Sequence, residues 1–283
     1  FGAAFVWSSL RRRSALLLPP GPYPLTSARA ALRSWLSVIM TGMSQFGGGA
    51  SVTVGKSVRG THRGAVNAER ALARLSRIYV ARDRLSSVTL GLPVDAQPDL
   101  ALLASAGSPG PRRVVAISLR YDKTVMDEVL QTIVDWTRSA GLVPTFVTQV
   151  RRDQARHAEY AARFGAEHVE WGMRTHREQM DAVTAVFSEA AIVVTDRLHA
   201  ALLGVLGGAV PVAVAGKGEP SKIADAFDGV LPVTAVDRER DSGVLDVLTA
   251  ASGAAGPVAS ARDAARDRLL DVRDRVRRTV FGD

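Results

Sequence analysis

The sequence predicts an α/β fold built on a mainly parallel sheet with helices on both faces, and three observations carry that prediction. Residues 191–214 read as one β-α-β unit: a buried strand at 192–194, a break of period at Thr195-Asp196, an apolar helix from about Arg197 to Leu206, a Gly207-Gly208 stop and a second strand at 210–214. From Val114 onward strands and amphipathic helices alternate, the pattern of parallel sheets. Just before that pattern starts, residues 105–111 are small and rich in proline and glycine, the clearest linker in the chain and the expected domain boundary.

Taken in order, the chain opens on apolar residues, Arg11-Arg12-Arg13, and a leucine run cut short by Pro19, Pro20 and Pro22. The prolines and the lack of a small-residue cleavage site argue against a signal peptide, and residues 1–25 read as a linker or an irregular edge. An amphipathic helix at 26–35 leads into a strand at 36–40 and a glycine-rich turn at 41–49. Residues 65–76 read as a helix, 77–81 as a strand ending at Arg82-Asp83, and 88–92 as a short extended segment after a turn at Ser86-Ser87. In the second half, strands are expected at 114–118, 143–148, 167–170 and 231–236, with helices at 125–140, 155–164, 176–189 and 220–227. A short helix after Gly243, a break at 252–257 and a charged helix at 261–280 close the chain, the last with Leu269, Leu270, Val272 and Val276 as its apolar stripe.

The composition narrows the function classes. With 283 residues, 47% hydrophobic and 23% charged, the chain is globular and long enough for two domains. It contains no cysteine, which excludes a disulfide scaffold, a thiolate nucleophile and a Cys-ligated zinc site. Its five histidines have no ligand-like spacing, so no metal is expected. The net charge of +8 is spread over arginines that alternate with acids, without aromatics interleaved, so no nucleic-acid partner is expected. No apolar span is long enough to cross a bilayer.

The chemistry concentrates at Thr195-Asp196-Arg197-Leu198-His199. Thr195 or Asp196 suits an N-cap, which puts Arg197 and His199 in the first helical turn at the carboxyl end of a strand. Free N–H groups and the helix dipole favour an anion there, so a small phosphorylated or carboxylated ligand fits. The plainer alternative is a solvated arginine and a core histidine. Arg82 also sits just past a strand, where Asp83 can orient its guanidinium or merely form a surface ion pair with it. The turn at 41–49 lacks G-x-G-x-x-G spacing and reads as a loop rather than a dinucleotide site.

These residues resemble a known family. Thr195-Asp196-Arg197-Leu198-His199, an apolar helix and Gly208-Ala209-Val210-Pro211-Val212 look like the S/T-D-R-L-H segment and following strand of the polysaccharide pyruvyl transferases. Three more segments fall in that family's order. Gly42-Met43-Ser44-Gln45 resembles its G-Q-S turn, Ala81-Arg82-Asp83-Arg84-Leu85-Ser86 its A-R-D-x-x-S turn, and Val115-Ala116-Ile117-Ser118-Leu119-Arg120 the strand opening its second domain. The resemblance covers about residues 37–236. It implies two Rossmann-like domains like those of the B-type glycosyltransferases, here 1–107 and 108–236, with carboxyl-terminal helices at 237–283. It also implies transfer of the enolpyruvyl unit of phosphoenolpyruvate, as co-substrate with no further cofactor, to sugar hydroxyls of a cell-surface polysaccharide or its lipid-linked precursor. That work is expected in the cytoplasm or at the inner face of the membrane.

Carried over by position, His199, Arg197 and Arg82 are the expected catalytic residues, and Leu198, Asp196, Arg120, Ser118, Asp83 and Ser44 the expected substrate-binding ones. His199 suits either a general acid or a phosphate ligand. Two departures stand out: the family's glycine-rich first turn with its G-D pair is not found, and the turn at 41–49 lacks G-P. The amino-terminal domain, with strands expected only at 36–40, 78–81 and 87–90, is therefore read as incomplete and this chain alone as inactive. A nucleotide-sugar glycosyltransferase and a non-catalytic remnant are the rival readings.

Overall fold

The computed structural model describes residues 15–105, 110–219 and 221–282; the expectations for residues 1–14, the middle of the linker and Pro220 lie outside it. The chain forms two compact units, one of residues 1–103 and 265–283, the other of 104–264.

The first unit holds a parallel sheet of five strands, against the two or three read from the sequence. Its order is β1 (Ala15–Leu18), β3 (Ala50–Arg59), β4 (Ile78–Ala81), β5 (Asp95–Ala96), with β2 (Gly21–Pro24) also on β3. β1 pairs with the start of β3 and β2 with its end, so one ten-residue strand carries two short edge strands. The register of β3 against β4 shifts between Val54 and Lys56, where Gly55 takes a φ of +80°. A Cβ at Gly55 would come within 3.0 Å of Pro20 and 3.1 Å of Leu100. Across that bulge the strand changes face. Val52 and Val54 pack with Ile78, Val80 and Val272, and Val58 packs with Leu16, Leu18, Leu25, Leu72 and Leu90.

Two expectations here are corrected. Residues 36–40 are not a strand but the middle of a helix, α1 (Ala28–Phe46), capped by Ser27 and running unbroken to Gly47. The apolar run at 36–40 lies within a longer stretch free of glycine and proline up to Thr41, which lets the helix continue. Its buried residues are Ala30, Ser34, Thr41 and Ser44, small enough for close packing, while Leu32, Trp35, Leu36, Ile39 and Phe46 face solvent. Residues 88–92 are likewise not extended: α3 (Arg84–Leu90) is capped by Asp83 and ended by Gly91 in the left-handed conformation. Between them lies α2 (Arg63–Leu75).

The second unit is a six-stranded parallel sheet in the order β11-β10-β9-β6-β7-β8. The strands are β6 (Val114–Ser118), β7 (Val143–Val147), β8 (Glu167–Val169), β9 (Ala190–Thr195), β10 (Val210–Ala215) and β11 (Thr234–Asp237). The crossover helices α4 (Asp127–Ser139), α5 (Gln154–Phe164), α6 (His176–Glu189), α7 (Leu198–Leu206) and α8 (Lys222–Phe227) follow the expected alternation. From β6 the chain winds outward to β7 and β8, then returns to β9 beside β6 and winds the other way, the doubly wound order with its switch point between β6 and β9. α7 is apolar on nearly all sides because it is buried against β9. Gly204 makes that contact possible: a Cβ there would lie 2.5 Å from Val193 Cγ2.

α9 (Val244–Ser252) and α10 (Ala255–Phe281) end the chain, separated only by Gly253 and Ala254, so the last helix starts earlier than residue 261. Its residues from Ala265 belong to the first unit, where Val272, Val276 and Val280 cover Val52, Val54, Ile78 and Val80. Among the described residues no single helix is long and apolar enough to cross a membrane.

Candidate active site

The switch point puts the ends of β6 and β9 side by side, with Ser118 paired to Thr195. Thr195 fixes the turn out of β9: its Oγ1 donates to the Ser118 carbonyl at 2.5 Å and accepts the Arg197 N–H at 2.9 Å. Asp196 fixes the turn out of β6 by accepting the Arg120 N–H at 3.0 Å. Burial raises the Asp196 carboxyl above its ordinary value, against that N–H and the charges of Arg197, Arg120 and Arg238. The N-cap of α7 is Arg197 itself, one residue later than the sequence indicates, so Leu198 and His199 open the helix.

The Arg197 side chain is 12% exposed and lies 2.5 Å from Asp153 Oδ2, which is wholly buried. By distance this is an ion pair, but its angles are not those of a hydrogen bond, and Arg197 Nε and Nη2 and Asp153 Oδ2 have no hydrogen-bond partner. The hydroxyl of Ser118, fully buried a strand end away, is unpartnered too. Buried donors are rarely left unmatched, and these gather where doubly wound sheets bind their ligands. Asp153 also accepts the Tyr121 N–H at 3.1 Å through Oδ1, so one carboxylate holds both Arg197 and the loop after β6.

A histidine anchors the same loop from beneath. His157 is buried, its Nε2 3.0 Å from the Leu119 nitrogen and its Nδ1 3.0 Å from Thr148 Oγ1, which in turn lies 3.0 Å from His168 Nε2. Burial pushes the His157 imidazole down to about 4, so it is neutral at pH 7. Nε2 also lies 2.8 Å from the Leu119 carbonyl, so the neutral ring either donates from Nε2 to that carbonyl or accepts the Leu119 N–H there and donates from Nδ1 to Thr148.

The remaining expected residues of this unit are less confined. Arg120 sends its guanidinium to Asp122, at 2.8 Å from Nε and 2.5 Å from Nη2, and this contact holds the exposed Asp122 carboxyl at about 2. His199 is exposed and makes no hydrogen bond or ion pair among the described residues. The sequence allowed a core histidine here, and the structure excludes that alternative.

In the first unit Arg82 does follow β4, as expected, with its N–H on the Lys56 carbonyl. Its guanidinium is oriented by Asp99 at 3.1 Å and not by Asp83. Asp83 instead caps α3, accepting from Ser86 N–H at 2.9 Å and Ser86 Oγ at 2.8 Å, and pairs with Arg59 at 2.8 Å. Burial alone would raise its carboxyl, but hydrogen bonds from Arg59, Ser57 and Ser86 outweigh it and lower it. Ser44 is not in a glycine-rich turn: it is buried within α1, its Oγ donating to the Ala50 carbonyl at 3.4 Å. Ala50 begins β3 and Arg82 follows the end of the parallel β4, so Ser44 and Arg82 lie at opposite ends of the sheet.

Near Arg82 the sequence reading misses a buried polar cluster. Lys56 and Glu69, 1% and 0% exposed, pair at 2.8 Å, and Glu69 also accepts from Tyr79 at 2.9 Å and Ser34 at 3.1 Å. Burial lowers the Lys56 ammonium from its ordinary value, with Glu69 opposing. Among the described residues no group of histidines and acids is arranged to hold a metal ion.

The family model for polysaccharide pyruvyl transferase matches residues 46–217, more than half of the chain and inclusive of both the Arg82 and the Arg197 segments. The chain belongs to the polysaccharide pyruvyl transferase family. It is therefore a transferase of polysaccharide biosynthesis. Among solved structures, Anabaena HepE in complex with UDP is 11% identical, with 99% of this chain and 82% of that one covered and a TM-score of 0.54. The E. coli heptosyltransferase WaaC with ADP is 13% identical over 84% of this chain and 98% of that one, with a TM-score of 0.39. No curated protein matches the chain significantly. The fold is the expected one, with two parallel sheets in the Rossmann-like manner of the B-type glycosyltransferases.

Asp153, Lys123, Glu219 and Arg238 are functional candidates that the sequence reading omits. Asp153 had a signal of sorts, an acid just past the strand at 143–148 and just before a helix, the same relation that singles out Arg82 and Arg197. Glu219 and Arg238 lie beyond the residues that the family model matches.

Proposed function

We propose that the chain transfers the enolpyruvyl unit of phosphoenolpyruvate to hydroxyls of a saccharide, forming a pyruvate ketal. The observation that carries this reading is Arg197, whose Nε is buried with no partner and whose Nη2 meets only the Asp153 carboxylate, beside the unpartnered Ser118 hydroxyl at the switch point. A carboxylate or phosphate oxygen satisfies such donors, and a guanidinium fork binds either in two places. In the net reaction C3 of phosphoenolpyruvate gains a proton, two sugar oxygens bond to C2, and the C2–O bond to phosphate breaks. Of the two hydroxyl protons, one balances the new methyl group and the other leaves with phosphate.

Arg197 holds the anionic groups of the co-substrate and His199, exposed at the start of α7, serves as proton donor or phosphate ligand. Arg82, at the carboxyl end of the other sheet, is the second arginine of the reading. The acceptor is a cell-surface saccharide or its lipid-linked precursor, modified on the cytoplasmic side of the membrane. Calorimetric titration with phosphoenolpyruvate and, separately, with a uridine nucleotide sugar tests the assignment. Binding of phosphoenolpyruvate is the expected result; preference for the nucleotide sugar would favour a glycosyltransferase, and binding of neither a non-catalytic member.

A further inference from the structure

The loops after β6 and β11 bring a second pair of cations to the strand ends that carry Arg197, and the turn after β10 brings a carboxylate between them. Arg238 directly follows β11 and is pinned on both sides of its own peptide, its N–H donating to the Ala215 carbonyl at 3.0 Å and its carbonyl accepting from Met126 at 2.9 Å. Its side chain is 9% exposed; Nη2 lies 2.6 Å from Glu219, and Nε is buried with no hydrogen-bond partner. Lys123, on the loop after β6, donates from Nζ to the other side of the same carboxylate, Glu219 Oε1. Its backbone N–H reaches the Arg120 carbonyl at 3.4 Å, and the field of Arg238 acts on Asp196 beside Arg197. One carboxylate is thus clasped between two cations from two separate loops.

Glu219 is the most exposed of the three charged side chains in this arrangement. It sits on a short turn after β10, its N–H on the Gly216 carbonyl at 3.0 Å, and its side chain, 36% exposed, is held among the described residues by Lys123, Arg238 and the Gly216 N–H at 3.3 Å. A Cβ at Gly216 would come 3.3 Å from Glu219 Oε2 and 3.6 Å from Arg238 Nε, so the absence of a side chain keeps the space between turn and guanidinium open. The hydrogen bond from Lys123, helped by the Gly216 N–H and the charge of Arg238, holds the Glu219 carboxyl below its usual range, so it is an anion at neutral pH. If Glu219 swings into water, a nine-tenths buried guanidinium is left to be neutralised by another anion.

We propose that Lys123 and Arg238 form a second anion subsite beside Arg197, in which the Glu219 carboxylate stands in for a phosphate group of a substrate and gives way to it. The inference requires a phosphorylated ligand at this edge but not that the ligand be phosphoenolpyruvate; the phosphate of that co-substrate and the diphosphate of an activated acceptor share the chemistry. Calorimetric titrations with phosphoenolpyruvate and with inorganic pyrophosphate tell the two sources apart. Glu219→Gln removes the competing charge and is expected to tighten binding of one of them about fivefold, while Lys123→Gln weakens the same one about fivefold, the scale of one partly exposed charge contact. The anion for which both shifts appear is the occupant. Thermal unfolding of each variant checks that it is folded, and Lys123, a quarter exposed, is a site where substitution leaves the core intact. Unchanged or weakened binding of both anions by Glu219→Gln overturns the proposal, because Glu219 is then only a fastening. Arg197→Lys separates the two claims: loss of phosphoenolpyruvate binding in that variant, with no effect of Glu219→Gln, leaves the pyruvyl-transfer reading standing and removes the subsite.

Discussion

Replacing Asp153 by Asn tests how Arg197 is held. Asparagine keeps the volume and an acceptor for the Tyr121 N–H, now at 3.1 Å from Asp153 Oδ1, so neither a cavity nor a broken backbone contact confuses the result. What is lost is the negative charge 2.5 Å from a guanidinium 12% exposed, in a site where the carboxylate itself is 0% exposed. Removing one partner of a buried pair typically costs about 3–5 kcal/mol because the other charge stays uncompensated. Arg197 retains some access to water, which argues for the lower end, about 3 kcal/mol, or a fall in Tm of roughly 6–12 °C for a unit of this size. Urea unfolding followed by circular dichroism reads the change, with Glu189→Gln as a control. That carboxylate pairs with Arg113 at 2.8 Å with both side chains well exposed, and its loss is expected to cost at most about 0.5 kcal/mol. The double variant Asp153→Asn, Arg197→Gln should recover roughly 2 kcal/mol of the summed single effects. A change below about 1 kcal/mol for Asp153→Asn, or strict additivity in the cycle, would refute the idea that this pair fixes the arginine.

Three further outcomes are expected. Arg197→Lys keeps the charge but loses the planar fork, so phosphoenolpyruvate binding or turnover should fall by about 2–4 kcal/mol, and normal turnover would reduce Arg197 to a structural residue. His157 has a folded value depressed from 6.5 to about 4, so the native state resists protonation: stability is full above pH 6.5 and is lost as pH falls towards 4. The total approaches about 3 kcal/mol, and His157→Gln should flatten that part of the pH–stability curve; an unchanged curve would contradict the assignment. Gly204→Ala drives a methyl against Val193, 2.5 Å from its Cγ2, and should destabilise the second unit by about 1–3 kcal/mol, as measured by urea midpoint.

The second unit is legible in the sequence because its central strands β6, β7, β9 and β10 are short apolar runs set off from helices of a different period. The first unit is not. β3 carries Ser51, Thr53, Lys56 and Ser57 on a strand that is nearly all buried, and Gly55 breaks its alternation with a bulge, so its sequence lacks a strand pattern. The second half of α1 is hidden for the opposite reason: apolar Leu36, Ile39 and Phe46 point to solvent while small Thr41 and Ser44 are buried against the start of β3, which inverts the usual helical signal. At the site, the turn chemistry of Thr195, Asp196 and Arg197 could be seen from local order alone. Asp153 and His157, which hold that turn and the loop after β6, come from a different β-α connection, and pairing across strands is not written in local sequence. Adjacency in sequence suggests that Asp83 orients Arg82, yet neighbours in an extended segment point apart, and Asp83 faces Arg59 and α3 instead.

At the switch point of the second unit, the Arg197 guanidinium, paired with Asp153 on one side and with its Nε unpartnered, is proposed to receive the anionic groups of phosphoenolpyruvate. A crystal structure of the protein with phosphoenolpyruvate tests this most directly. The account predicts density at the carboxyl ends of β6 and β9, with Arg197 Nε and Nη2 and the Ser118 hydroxyl bonded to ligand oxygens. Phosphoenolpyruvate bound elsewhere on the chain, with Arg197 still directed only at Asp153, would contradict it.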